Sequence, residues 1–552
     1  MLSEVTPNVD GRKTGRLDDV KTGKWPANGG VSMRILLVNP PKVNFFRRLH
    51  LALPPLGIAY LAAVLRQAGH HVRIADLDVA PDPAPNFSQY DLVGISADTI
   101  GYPAALAVAE EAKRVGKPVL MGGYHVSFRD EEALRSGLVD YVIRGEAEEP
   151  IVRLAEALEG RRGLEETPSL SFLRGGEVFR TPSGPPVEDL DGLPLPARDL
   201  LPLDHYQVTF RGRRHTSIIT SRGCPFACSF CASSRFAGGR WRARDPVSIA
   251  DEVQQVRDEF GYRAFAFMDD NFTLNPQRVI GFADEVRRRN LDIIWWCFSR
   301  ADTIAGNEAM VRAMARSGCG QIFLGLESGT EEILDDYGKR LTIAQQDRAL
   351  AILRRNRIKV HGAFIVGHPA ETRRTVRQTV AQALRSGLAF AQFSILTPYP
   401  GTPVFDEAVR EGRLLHTNWN LYDGMHAVMR TDHLTPHELH RLFIEGYRTF
   451  YVRPRQVASE LWDTLRFGEG LSVGMGRVMA FARLASDLRS YDFRLGSREA
   501  PQNVSLRDFG GRERRPATKG EARPTRVRGT GDQPAGWSGL RWTAKIRREG
   551  LP

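Results

Sequence analysis

From Arg34 onward, short apolar runs alternate with amphipathic stretches. "RILLVNP" (34–40), "HVRIADLD" (71–78), "DLVGISA" (91–97), "PVLMGGYH" (118–125) and "YVIRGE" (141–146) predict strands. "PLGIAYLAAVLRQAG" (55–69), "YPAALAVAEEAKRVG" (102–116), "EEALRSG" (131–137) and "EEPIVRLAEALEG" (148–160) carry apolar residues at helical spacing. Strands separated by helices predict parallel βαβ units in a doubly wound sheet. Ligands of such sheets lie beyond the carboxyl ends of the strands. The strand ends here read "NPP", "SADT", "GGYH" and "RGEAEE", small, polar or glycine-rich.

The next stretch, 161–212, is rich in Pro and Gly and reads as a crossing between domains. A second series follows: "TSIITSRGC", "AFAFMDDNF", "IIWWCFSRAD", "GQIFLGLESG", "VHGAFIVGHP" and "AQFSILTPYPGTP", with helical stretches between. Six such units fit a partial barrel, whose function sits at the carboxyl ends of its strands. The expected fold class is therefore α/β. A Rossmann-like doubly wound domain spans 33–165, a linker 166–212, and a partial (β/α)6 TIM barrel 213–403. A helical C-terminal region follows over 404–500.

Both ends differ from this pattern. Residues 1–32 are polar, lack an apolar secretory core, and read as a disordered leader. Residues 501–552 hold twelve Lys and Arg against five Asp and Glu, which supplies +7 of the formal net charge of +11. Few aliphatic residues accompany that charge, so the tail reads as basic and disordered. No run is apolar enough for a membrane-spanning helix. The 552 residues include only five cysteines, too few for a disulfide framework and consistent with a reducing, cytoplasmic setting.

Three of those five are Cys224, Cys228 and Cys231 in "SRGCPFACSFCA" (221–232). CxxxCxxC on a loop with Gly223 and Pro225 can converge on one face of a [4Fe–4S] cube, leaving one iron open for a substrate. Structural zinc would want a fourth ligand at knuckle spacing, which the sequence does not provide. Cys297 and Cys319, in apolar surroundings, read as buried structural thiols.

This loop after a strand resembles the signature of the radical S-adenosylmethionine (SAM) enzymes. The resemblance implies that the open iron binds the amino and carboxylate groups of SAM. One electron then cleaves the sulfonium to methionine and a 5′-deoxyadenosyl radical, which abstracts hydrogen from a substrate. It implies the cysteines as cluster ligands and Phe230 beside the adenine. Asp269 and Asp270 in "MDDNF" become candidates for the amino group, with a plain loop pair as the alternative. Arg300 could meet the carboxylate or form a rim ion pair. Glu327 and Ser328 in "GLESG" resemble the ribose and carboxylate contacts. "FIVGHP", with Gly367 and Pro369, resembles the segment that packs on adenine.

The first half, with "LLVNPP", "PPLGIAYLAAVL", "VGISA", "GGYH" and "DYVIRGEAEEPI", resembles the cobalamin-binding domain that precedes this barrel in one large class. Implied corrin contacts are Asn39, Pro54, Leu56, Gly57, Ser96, Thr99, Gly122, Gly123, Tyr124, Gly145 and Glu146. The DxHxxG pattern of many other cobalamin proteins is missing, and His70, His71 and His125 do not restore it. The class implies methylation of an unactivated carbon of a small molecule, with SAM, a [4Fe–4S] cluster and cobalamin as cofactors. The alternative is oxidative ring closure, as in the anaerobic magnesium-protoporphyrin monomethyl ester cyclase. An electron donor of flavodoxin or ferredoxin type is implied as partner, and nucleic acid is not. A tRNA methylthiotransferase would need additional N-terminal cysteines, and none precedes Cys224.

Overall fold

The computed structural model describes residues 32–41, 52–80, 85–454 and 458. The leader through residue 31, the basic tail and nearly all of 455–500 lie outside the described residues.

The first sheet contains β1 (Arg34–Asn39), β2 (His71–Asp76), β3 (Leu92–Ser96), β4 (Val119–Gly122), β5 (Tyr141–Ile143), β6 (Leu170–Arg174) and β7 (Glu177–Arg180), in the order β2-β1-β3-β4-β5-β6-β7. The first five strands are parallel and the last two antiparallel. Alternation along β1 sends Ile35 and Leu37 to one apolar layer and Leu36 and Val38 to the other. Helices Leu56–Gln67 and Glu148–Leu158 cover the first face, and helix Tyr102–Arg114 covers the second. The sheet is thus doubly wound, as the apolar runs of its strands require.

The hairpin β6–β7 falls inside the expected linker. Its turn is Gly175-Gly176, both with positive φ (59° and 87°), which suits a two-residue hairpin whose strands retain their twist. The rest of 166–212 is packed rather than free. Arg198 is buried and donates to the Ser217 carbonyl (2.8 Å) and to Glu252 (3.0 Å).

The second sheet contains β8 (Thr209–Phe210), β9 (Arg213–Ile218), β12 (Ala264–Phe267), β13 (Ile294–Arg300), β14 (Cys319–Glu327), β15 (Lys359–Val366) and β16 (Phe390–Ile395). Six of these strands run parallel, and β8 pairs antiparallel with β9 at one edge. A short antiparallel pair, β10 (Ser221–Arg222) with β11 (Arg242–Ala243), brackets the segment that carries the three clustered cysteines. The helices open with strong start signals: Asp245, Asn275, Thr342, Thr372, Thr402 and Thr435 each accept a first-turn backbone N–H. Four of those caps precede proline at the first helical position.

The open edge at β16 is closed by helix Pro436–Tyr451. The Tyr447 hydroxyl accepts from Phe393 N (3.2 Å) and donates to Phe393 O (2.9 Å). Tyr451 repeats this at Ala391 (3.2 and 2.9 Å). Residues four apart on a helix rise about 6 Å, close to a two-residue step on a strand, so two tyrosines satisfy alternate backbone pairs of an edge strand.

The expected helical region after 403 is helical only in part. Between helices Pro403–Arg410 and Pro436–Tyr451, residues 411–435 are largely irregular. Leu414, Trp419, Tyr422 and Met429 of that segment share a core with Tyr102, Ala105 and Val108 of the first domain, and the Trp419 indole donates to Glu132 (2.8 Å). An apolar strip facing a second domain needs no helical period. Among the described residues no helix is long and apolar enough to cross a membrane.

Candidate active site

The cysteine loop is fixed from below by two adjacent carboxylates at the end of β12. Asp269 is buried and accepts from Thr220 N (2.6 Å), Thr220 Oγ1 (2.5 Å) and Ser221 Oγ (2.6 Å), with Arg278 at 3.5 Å. Asp270 accepts from Gly223 N (3.1 Å). Gly223 has φ 82°, and a Cβ there would lie 2.0 Å from the Arg240 carbonyl oxygen, so only glycine fits the turn into Cys224. Cys224 and Cys231 are half-buried and Cys228 is buried. Burial pushes the Cys224 thiol up to about 11 and raises Cys231 as well. Cys297 and Cys319 are buried in the barrel core, and burial raises both thiols.

Around the loop the barrel rim is dense with charge. Arg300, closing β13, donates to Asp302, to the Lys339 carbonyl (2.7 Å) and to Cys228 Sγ (3.7 Å). Glu327 ends β14 at a register shift with φ 61°, a left-handed conformation costly for a non-glycine residue, and its carboxylate meets Lys339 Nζ at 2.6 Å. Phe230 packs edge-on against Tyr337 (5.1 Å), which packs edge-on against His368 (5.1 Å). Phe230 and the 367–369 segment thus flank one ring. The backbone N–H groups of Gly367 and His368 donate to Glu371 (2.5 and 3.1 Å). Burial raises that carboxyl to about 7.

Between the carboxyl ends of the first sheet and the backbone that leads into Cys224 lies a cavity of about 380 Å³. Gly57, Ser96, Gly122, Gly123, Tyr124, Gly145 and Glu146 line it from the first domain, and Arg222, Gly223, Phe236, Met268 and Asp270 from the barrel. Tyr124 stacks on Phe236 at 4.2 Å across the boundary. Nothing would stand within 4 Å of a Cβ built on Gly57 or Gly145, so missing side chains make part of the space. Half-buried ion pairs fix the wall. Glu146 accepts two hydrogen bonds from Arg242 (2.8 and 2.7 Å), and Glu148 accepts from Arg222 (2.6 Å). Burial works against the Glu146 charge, but Arg242 and Arg222 hold its carboxyl below the usual range.

Several expected residues stand elsewhere. Asn39 donates to Asp76 (2.7 Å), the Pro54 carbonyl accepts from Ser217 (3.4 Å), Thr99 sits by His125 (3.4 Å), and Leu56 is buried. None of these four lines the cavity. Asp269 is already occupied by the loop it anchors, which leaves Asp270 as the carboxylate facing the cavity. Ser328 is turned into the fold, where its hydroxyl meets Thr330 (3.1 Å) and Thr379 (3.3 Å). Sequence reasoning missed Arg222, Arg242, Glu148, Lys339, Tyr337 and Glu371. Of these only Glu371 had a local signal, four residues after Gly367 with a Thr helix cap following.

Two family models match the chain: the Radical SAM superfamily over residues 218–383 and the B12 binding domain over 46–155. An uncharacterized methyltransferase of Pyrococcus horikoshii is 36% identical over 78% of this chain and 95% of its own length. The chain belongs to the radical SAM superfamily, in the branch that carries a B12-binding domain ahead of the barrel. The anaerobic magnesium-protoporphyrin IX monomethyl ester cyclase of Cereibacter sphaeroides is 28% identical over 86% of this chain and 79% of its own length. The radical SAM methyltransferase TsrM of Kitasatospora setae, solved with cobalamin and a [4Fe-4S] cluster, shares the fold. Its TM-score is 0.59 at 23% identity, covering 69% of this chain and 78% of that one.

Proposed function

We propose that this chain is a cobalamin-dependent radical SAM enzyme that methylates an unactivated carbon of a small molecule. The observation that carries the reading is the shared cavity, with strand ends of the B12-binding domain on one side and Ser221, Arg222 and Gly223, which lead into the cysteines, with Asp270 on the other. The donor set fits the two implied groups. Three thiols on one short loop suit a cluster that takes one iron per thiolate. The glycine-edged wall suits a broad planar ligand close to backbone. Among the described residues no histidine lines this cavity, which fits a corrin held without a protein imidazole.

When bound, the cluster would supply the electron that cleaves SAM, and the corrin cobalt would carry the methyl group. Cys224, Cys228 and Cys231 would hold the cluster. Gly122, Gly123, Tyr124, Gly145 and Glu146, with Gly57 and Ser96, would hold the corrin. Asp270 would meet the ammonium of SAM and Glu327 its hydroxyl groups. Phe230 and the backbone of 367–369 would flank the adenine. The Arg222–Glu148 and Arg242–Glu146 pairs keep the two walls in register, and the buried rim excludes water from a reactive radical. A flavodoxin- or ferredoxin-type donor in the cytoplasm would reach the loop from its exposed side.

Incubation with SAM labelled in its methyl group tests this: label is expected in the product carbon skeleton, and an unlabelled product overturns methyl transfer. The likeness to the Cereibacter cyclase over 86% of the chain favours one second reading, oxidative ring closure on a tetrapyrrole, which would leave the product unlabelled.

A further inference from the structure

Arg300 is buried and engaged at every nitrogen. Nε and Nη2 donate to Asp302 (3.1 and 2.8 Å), and Nη2 also donates to the Lys339 carbonyl (2.7 Å). The Phe226 ring lies against the guanidinium, 3.7 Å from its centroid. The remaining nitrogen, Nη1, donates to Cys228 Sγ at 3.7 Å. Asp302, the Lys339 carbonyl and Phe226 therefore hold the cation against the most buried of the three thiols, Cys228. Swinging toward another anion would break the fork to Asp302 and the stack on Phe226.

One-electron reduction of an iron–sulfur cluster adds a negative charge that its sulfurs share. Hydrogen bonds to those sulfurs and nearby positive charge favour the reduced form, more strongly where burial limits screening. We propose that Arg300 is a positioning residue that raises the reduction potential of a cluster on Cys224, Cys228 and Cys231 through its N–H···S contact with Cys228. The proposal rests on the reading of that trio as a cluster loop. Arg300 then serves the electron that enters the cluster, and the SAM carboxylate is left to other groups.

The test is an EPR-monitored redox titration of the full chain, reconstituted without oxygen and reduced with titanium(III) citrate. Iron and sulfide content are matched to wild type. Arg300→Gln is expected to lower the reduced-to-oxidised ratio at fixed solution potential about tenfold, equivalent to about 59 mV for a one-electron couple. Arg300→Lys, which keeps charge but loses the fork and the stack, should fall between. If Arg300→Gln takes up no cluster, Phe226→Leu, which removes the stack that seats the guanidinium without changing any charge, should lower the midpoint by a smaller amount. An unchanged midpoint in a loaded variant overturns the proposal. An unchanged midpoint with weakened SAM binding also overturns it and returns Arg300 to the carboxylate. A wild-type chain that takes up no cluster overturns the reading of the trio itself.

Discussion

The two mainly parallel sheets present their carboxyl ends in opposite ways. The first does so by omission: Gly57, Gly122, Gly123 and Gly145 leave backbone bare, and Ser96 adds little bulk. The second does so with fixed charge: Asp269 grips the loop, Arg300 is locked by Asp302, and Glu327 is paired with Lys339. A bare edge can accept a large ligand without prior commitment of polar groups. A charged rim can be kept dry only because each ion already has a partner. The first region should therefore fail by filling, and the second by unpairing.

The largest expected effect is at the cysteine loop. Cys224→Ala should lower 5′-deoxyadenosine formation by at least about a thousandfold, since covalent ligation has no substitute, while cobalamin binding persists at the other wall. Chromatographic assay of 5′-deoxyadenosine beside a corrin-binding titration measures both. Next comes the seam: Arg242→Ala takes the two-point partner from half-buried Glu146, leaving it Arg222 at 3.7 Å and the Val187 N–H, and should cost about 1–3 kcal/mol in chemical denaturation of the apoprotein.

Glu371 comes third. Its carboxyl is raised from an ordinary 4.5 to about 7 by burial, so the native state binds that proton more tightly than the unfolded chain does. The stability this gives is fully present below about 4.5 and is lost as pH rises toward 7, a decline of about 2–3 kcal/mol. Glu371→Gln should flatten that slope in denaturation measured across the same pH range. The smallest effect is at the bare edge. A Cβ on Gly122 would meet only the Ile143 carbonyl oxygen, at an ordinary contact distance of 3.8 Å, so Gly122→Leu adds bulk to the cavity wall without backbone strain. It should weaken cobalamin binding about tenfold, near 1.4 kcal/mol, with iron content unchanged.

Much of this arrangement was legible in the chain. Parallel strands advertised themselves as apolar runs, and helix starts as Asp-Pro, Asn-Pro and Thr-Pro pairs. Asp270 of "MDDNF" and the glycine-edged strand ends line the cavity, and Gly223 brings the cysteine loop to its edge. The hairpin β6–β7 was missed although "FLRGGEVF" carries its turn, because the surrounding prolines suggested a linker. The inward turn of Ser328 and the full occupation of Asp269 depend on partners distant in sequence, Thr379 and Thr220, which no local spacing announces. The same holds for Arg222 and Arg242, whose partners Glu148 and Glu146 lie in the other domain.

The central claim is that both walls serve one site. EPR of the full chain loaded with cob(II)alamin, with the cluster reduced, tests it most directly. The account predicts spin–spin broadening of the cob(II)alamin signal by the reduced cluster. Two unperturbed signals that simply add, or a chain that binds iron but no corrin, would contradict it.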